Sequence, residues 1–117
     1  MNKELGEIRR GEIWRVGSMT SRSQEAGHVL VISSDSLGSL AFRTVVPVIH
    51  CVHQNEQVPW KIRIEPDESK GLKSASMIDA RRIGALPIRC FIDRIGAVSR
   101  EELEDVAEAV AIVIECW

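Results

Sequence analysis

The sequence predicts a mainly β protein, a compact antiparallel sheet or barrel closed by one C-terminal helix. Three observations lead there. Six short runs rich in β-branched and aromatic residues follow one another with no helical pattern between them. The stretch from residue 99 to 114 then changes period and carries an apolar face at helical spacing. At 117 residues the chain reads as one domain spanning 1–117, enough to bury about two-thirds of its unfolded surface without disulfide staples.

The expected strands are GEIWRV (11–16), HVLVIS (28–33), FRTVVPVIH (42–50), WKIRIE (60–65), SMIDA (76–80) and CFIDRIGAV (90–98). WKIRIE alternates with period two and is the clearest of them. Pro47 lacks a ladder donor, so it marks a bulge or an edge in the third strand. PDESKGLKS (66–74) is turn-rich with no apolar period and is the expected mobile segment away from the termini. In SREELEDVAEAVAIVIE, Ser99 and Glu102 have the spacing of a capping box. Leu103, Val106, Ala107, Val110, Val113 and Ile114 are expected to form the buried face, with Glu101, Glu104, Asp105 and Glu108 outside it.

Composition narrows the function classes. No apolar run approaches the ~18 residues of a membrane span, and MNKELGEIRRGE has no apolar targeting core, so a cytoplasmic protein without membrane association is expected. Cys51, Cys90 and Cys116 make neither an even framework nor a C-x-x-C pair, and read as reduced thiols. In HCVH, His50 and His53 fall on opposite faces of a strand, so neither metal nor cofactor is expected. The net charge of -2 is uneven: residues 1–60 balance, 61–98 carry a surplus of three positive charges and 99–117 a surplus of five negative ones. A mildly basic body of this kind could hold a short single strand of nucleic acid but lacks the charge for a long duplex, and composition alone favours an ordinary solvated surface.

Two histidines stand at strand ends. His28 opens HVLVIS and His50 closes FRTVVPVIH. If these strands pair as antiparallel neighbours, the two side chains fall on adjacent rungs with Cβ atoms about 5 to 8 Å apart. Two imidazoles so placed, one neutral and one protonated, suit base and acid work across a phosphate. The 16–27 loop, VGSMTSRSQEAG, would overhang the same sheet end and bring Arg22, Gln24 and Glu25. Without a fold to converge them, two histidines at strand ends are more often hydrated surface residues than catalytic ones.

Taken together, GEIWRV, SQEAGHVLVIS, VVPVIH, VPWKIRIE and the closing SREELEDV helix resemble the MazF/PemK (Kid) family of toxin endoribonucleases, from about residue 9 to 114. Arg10-Gly11-Glu12 stands where that family typically has Arg-Gly-Asp, and Ser23-Gln24-Glu25-Ala26-Gly27-His28 stands in its substrate loop. The chain departs from the pattern at both principal catalytic positions. The loop's Arg-Pro is missing, since Val29 follows His28 at once, and His50 takes the place of a Thr or Ser at the end of the third strand. Gln24 and Glu25 are also in swapped order.

The resemblance implies an SH3-like, partly closed antiparallel β-barrel of the MazF/CcdB type with a C-terminal helix. It implies a homodimer and a cognate antitoxin whose acidic, disordered tail lies in the dimer groove. It further implies sequence-selective, metal-independent cleavage of single-stranded RNA by attack of a 2'-hydroxyl on the adjacent phosphate. On this chain the catalytic candidates are His28, His50, Arg22 and Glu25, with Arg22, or Arg82 from a partner subunit, supplying positive charge. Ser23, Gln24, Trp60 and Arg82 are the candidates for holding RNA. Two other functions fit the same barrel: a non-catalytic module that binds RNA or antitoxin, and a gyrase-directed toxin similar to CcdB. Relatives of the latter type close with Trp-Gly-Ile, where this chain ends VIECW.

Overall fold

The structure, a computed structural model, describes residues 7–17, 27–38, 40–50 and 57–115. Within them, seven strands make one antiparallel sheet: β1 (Glu12–Val16), β2 (Gly27–Val31), β3 (Phe42–His50), β4 (Lys61–Ile64), β5 (Ser76–Asp79), β6 (Gly84–Pro87) and β7 (Phe91–Ala97). A single helix, α1 (Arg100–Val113), follows. The strands run in the order β4-β5-β3-β2-β1-β7, with β6 beside β3. The sheet is bent but not closed into a ring, the partly closed barrel that the resemblance implies.

β3 organises this bend. Along one edge Val45–Val48 pair with β2; along the other, Phe42–Val45 pair with β6 and Val48–His50 with β5. Pro47 falls where β3 has left β6 and just before it meets β5, a point on that edge where a missing N–H costs no ladder bond. β6 was not expected from the sequence.

Period-two alternation feeds two cores on opposite faces of the sheet. Ile13, Leu30, Val46, Val48, Ile64 and Ile78 face α1, which contributes Val106. Trp14, Val16, Val29, Val31, Val45 and Phe91 face the other way and are joined by Ile8. Trp14 meets Phe91 edge to face with centroids 5.7 Å apart. Full burial of each aliphatic side chain is worth about 1.5–3 kcal/mol, so these two layers dominate the stability.

The cap of α1 forms as expected: Ser99 Oγ accepts from the Glu102 N–H at 3.1 Å, and Glu102 Oε1 accepts from the Ser99 N–H at 2.9 Å. The buried face is rotated from the expected one. Ala107 is exposed and Ala109 is buried beside Val106, with Leu103 and Val110 packed against the core. Ile114 is also exposed. Ala107 lies about 100° round the helix from Val106, whereas Ala109 lies only about 60° from it.

The 66–74 segment is held in place, contrary to expectation. A 3-10 turn at Glu68–Lys70 is capped by Asp67, and Gly71 ends it in the left-handed region at φ 69°. Gly71 and Gly96 let this loop and β7 touch backbone to backbone. A Cβ on Gly71 would run into the Ile95 carbonyl, and one on Gly96 into the Lys70 carbonyl. Leu72 is buried in the core, and Lys70 is buried with its ammonium bonded to Glu102.

In the segment SMIDARRIGALP, Ile78 and Met77 are buried, and Ile83 and Leu86 are half-buried against the two cores of the same protomer. No helix among the described residues is long and apolar enough to cross a membrane.

Candidate active site

Antiparallel pairing of β2 with β3 sets His28 opposite Val48, which places His50 one diagonal step away on the same face. Their rings stand edge to face with centroids 6.2 Å apart. Both follow the inward phase of their strands, continuing the rows of Leu30 and of Val46 and Val48 past the end of the core. The two imidazoles border a cleft of about 320 Å³ whose other lining residues are Gly71, Leu72, Lys73 and Ile95. Its floor is apolar and its rim carries the imidazoles and an amine.

Each histidine has a distinct environment. His28 is cross-strand from Arg15, and Arg15 is cross-strand from Asp93, to which its Nε donates at 2.8 Å. Burial first, and then the positive charge of His50 and of Arg15, hold the His28 imidazole below its ordinary value; Asp93 opposes them without prevailing. His28 is therefore mainly neutral at neutral pH, with a ring nitrogen able to accept a proton. His50 Nδ1 shares a 3.0 Å hydrogen bond with Ser74 Oγ, which leaves Nε2 for another partner.

A second cleft, of about 280 Å³, begins at His50 and is lined by Ile49, Lys61, Met77, Asp79, Arg81 and Arg82. Asp79 has a buried side chain and takes two bonds from Arg81, to Oδ1 at 3.1 Å and to Oδ2 at 3.0 Å. The Arg81 hydrogen bond holds the Asp79 carboxyl below its usual value. The same guanidinium lies 5.5 Å from the Trp60 ring centroid. Trp60 sits in the turn before β4, half-buried, and its carbonyl accepts from the Ala80 N–H. Arg82 is largely exposed, with Nε 3.9 Å from Asp79 Oδ2. His50 thus stands where a histidine-lined cleft meets a cationic one.

Of the site residues expected from the sequence, the structure brings His28 and His50 together and sets Arg82 round the second cleft, with Trp60 packed behind Arg81. Arg22, Ser23, Gln24 and Glu25 lie outside the described residues, as do Cys51, His53, Cys116 and Trp117. Cys90 is a buried free thiol. Among the described residues no group of three or more His, Cys, Asp or Glu is arranged to hold a metal ion.

Sequence reasoning missed Arg15, Lys73, Ser74 and Asp93. Arg15 alone left a signal, a charged residue at the inward phase of β1 two positions from Ile13. The others reach the site from the 66–74 loop and from β7, whose approach no local pattern records.

A bent antiparallel sheet backed by one C-terminal helix, with two imidazoles at the ends of adjacent strands, defines a small, partly open β-barrel protein. Residues 9–114 match the family described as PemK-like, MazF-like toxin of type II toxin-antitoxin systems, and the chain belongs to that family. It is similar to endoribonuclease MazF9 of Mycobacterium tuberculosis, at 29% identity over 94% of this chain and 98% of that protein. A solved mycobacterial endoribonuclease in complex with its cognate antitoxin superposes with a TM-score of 0.75 at 17% identity, covering 92% of this chain and 95% of that one. MazF from a MazE–MazF structure of Deinococcus radiodurans gives 0.73 at 13% identity, covering 94% and 98%. At such identities the two structures speak to the fold alone.

Proposed function

We propose that this chain is the toxin of a type II toxin-antitoxin pair and a sequence-selective endoribonuclease that cleaves single-stranded RNA without a metal ion, using His28 and His50. The observation that carries the reading is the pair of imidazoles 6.2 Å apart on one cleft, His28 held mainly neutral. A phosphodiester between the two rings meets what the reaction needs. Neutral His28 takes the proton from the ribose 2'-hydroxyl as its oxygen attacks the adjacent phosphorus. Protonated His50 gives its proton to the departing 5'-oxygen. The P–O5' bond breaks as the P–O2' bond forms, leaving a 2',3'-cyclic phosphate and a 5'-hydroxyl.

Charge on the phosphorane needs cations. Lys73 lines one cleft, and Lys61 and Arg82 line the other; in this reading they neutralise the phosphates on either side of the scissile one. Arg22, Ser23, Gln24 and Glu25 of the 16–27 loop complete the proposed RNA contacts, with Trp60 as a further stacking surface. Two subunits pair as a homodimer, with exposed Phe42, Ile49 and Ile92 available as apolar surface, and the acidic, disordered tail of a cognate antitoxin lies in the dimer groove.

The test is to incubate the purified protein with RNA of mixed sequence in EDTA and to read both product ends. Cyclic phosphate and 5'-hydroxyl termini at a recurring sequence support the reading. Intact RNA would sink it and leave a binding module of the same fold; 5'-phosphate ends would sink the attack by the 2'-hydroxyl and leave a nuclease of another mechanism.

A further inference from the structure

Resting on the function proposed above, we infer that Ser74 is a positioning residue, whose hydroxyl fixes the His50 ring and so decides which nitrogen faces the cleft shared with His28. His50 ends its strand, so β3 sets where the ring begins but leaves its rotation open. The 3.0 Å bond between Ser74 Oγ and His50 Nδ1 supplies what the strand does not. A hydroxyl can donate to a bare Nδ1 or accept from Nδ1–H, so the bond holds the ring in one rotation, with Nε2 toward the cleft, in either protonation state.

The hydroxyl orients a ring only if its own loop is held, and this loop is held three ways. Lys70 Nζ bonds to Glu102 Oε2 at 2.6 Å and to the Glu65 carbonyl oxygen at 3.0 Å. Gly71 packs its backbone on Ile95, and Leu72 enters the core. Two residues later Ser74 reaches His50, and its own carbonyl accepts from Ser76 Oγ at 3.2 Å at the start of β5. The capped end of α1, through Glu102 and Lys70, thereby fixes the geometry of the site.

The titratable and charged groups round His50 are His28 on β2, Lys73 on the loop, Lys61 on β4, Asp79 at the end of β5, and Arg81 and Arg82 after it. Ser74→Ala leaves all of these in place, so its effect isolates the hydrogen bond.

The experiment combines two readouts on the full chain. Three-bond couplings across the His50 χ1 angle and ring-proton NOEs report whether its ring holds one rotamer, and cleavage of a mixed-sequence RNA reports kcat and KM. In the wild type one rotamer dominates. In Ser74→Ala the rotamers become averaged and kcat falls about 10-fold at unchanged KM, as loss of one hydrogen bond implies; Ser74→Thr restores both. An unchanged rotamer distribution overturns the inference whatever the rate does, because loop damage then accounts for any loss. A wild type that cleaves no RNA overturns the proposed function instead, and the rotamer distribution still decides whether Ser74 holds the ring.

Discussion

Lys70 places its ammonium 2.6 Å from Glu102 Oε2, joining the loop between β4 and β5 to the first turn of α1. Burial by itself would raise the Glu102 carboxyl. The Lys70 bond and the Ser99 N–H outweigh burial and hold it below its ordinary value. The stability this contributes is present above the unfolded-state value near 4.5 and is lost as pH falls through the lower folded value.

Lys70→Met should therefore destabilise by about 2 kcal/mol at pH 7, because it strands a half-buried carboxylate. The penalty should shrink as pH drops below 4.5, where Glu102 takes up a proton. Urea melts at pH 7 and pH 3.5 check both. A penalty that does not change with pH would mean that Lys70 matters only through its packing.

Gly71 and Gly96 should be intolerant of any side chain. Gly71→Ala combines a left-handed φ of 69° with a Cβ inside the Ile95 carbonyl. Gly96→Ala has the clash with Lys70 alone. Each should cost about 1–3 kcal/mol by overpacking, Gly71→Ala about 1 kcal/mol more for its backbone. Gly27→Ala is the control, since nothing lies within 4 Å of its added Cβ. Thermal melts of the three variants decide it, and equal behaviour would remove the close approach of loop to strand.

The strands and the cap of α1 were legible because each is written locally, in period-two alternation or in the Ser99…Glu102 spacing. Where the reading failed, long-range contacts had decided. GALP is too short and too rich in Gly and Pro to read as a strand, and becomes β6 only because the first half of β3 needs a partner. PDESKGLKS is polar enough to read as mobile, and only its pairing with Glu102 and β7 shows otherwise. The Ala107 and Ala109 exchange reflects a small error of phase along an alanine-rich face, where burial depends on how the sheet meets the helix. At the site, the proximity of His28 and His50 was legible from antiparallel pairing, while their reading as a site came from the family resemblance. Arg15, Ser74 and Asp93 were not, because they arrive from three other segments of the chain.

Sedimentation velocity at micromolar concentration should show a homodimer of twice the 13.1 kDa chain mass. The interface must use side chains other than Ile78 and Met77, which the protomer already buries. A clean monomer across the micromolar range would refute the dimer.

The central claim is that His28 and His50 act as base and acid, and the pH profile of single-turnover RNA cleavage in EDTA, for the wild type and for His28→Ala and His50→Ala, tests it most directly. The wild type should give a bell whose two limbs belong to the pair jointly. Because burial, His50 and Arg15 hold His28 low, the acid limb should lie below the ordinary imidazole value of 6.5, with the base already neutral at pH 7. Each His→Ala change should slow cleavage by about 10²- to 10⁴-fold with RNA affinity nearly intact. A His50→Ala variant that cleaves at the wild-type rate, or a wild-type rate that does not vary between pH 5 and 9, would contradict the account.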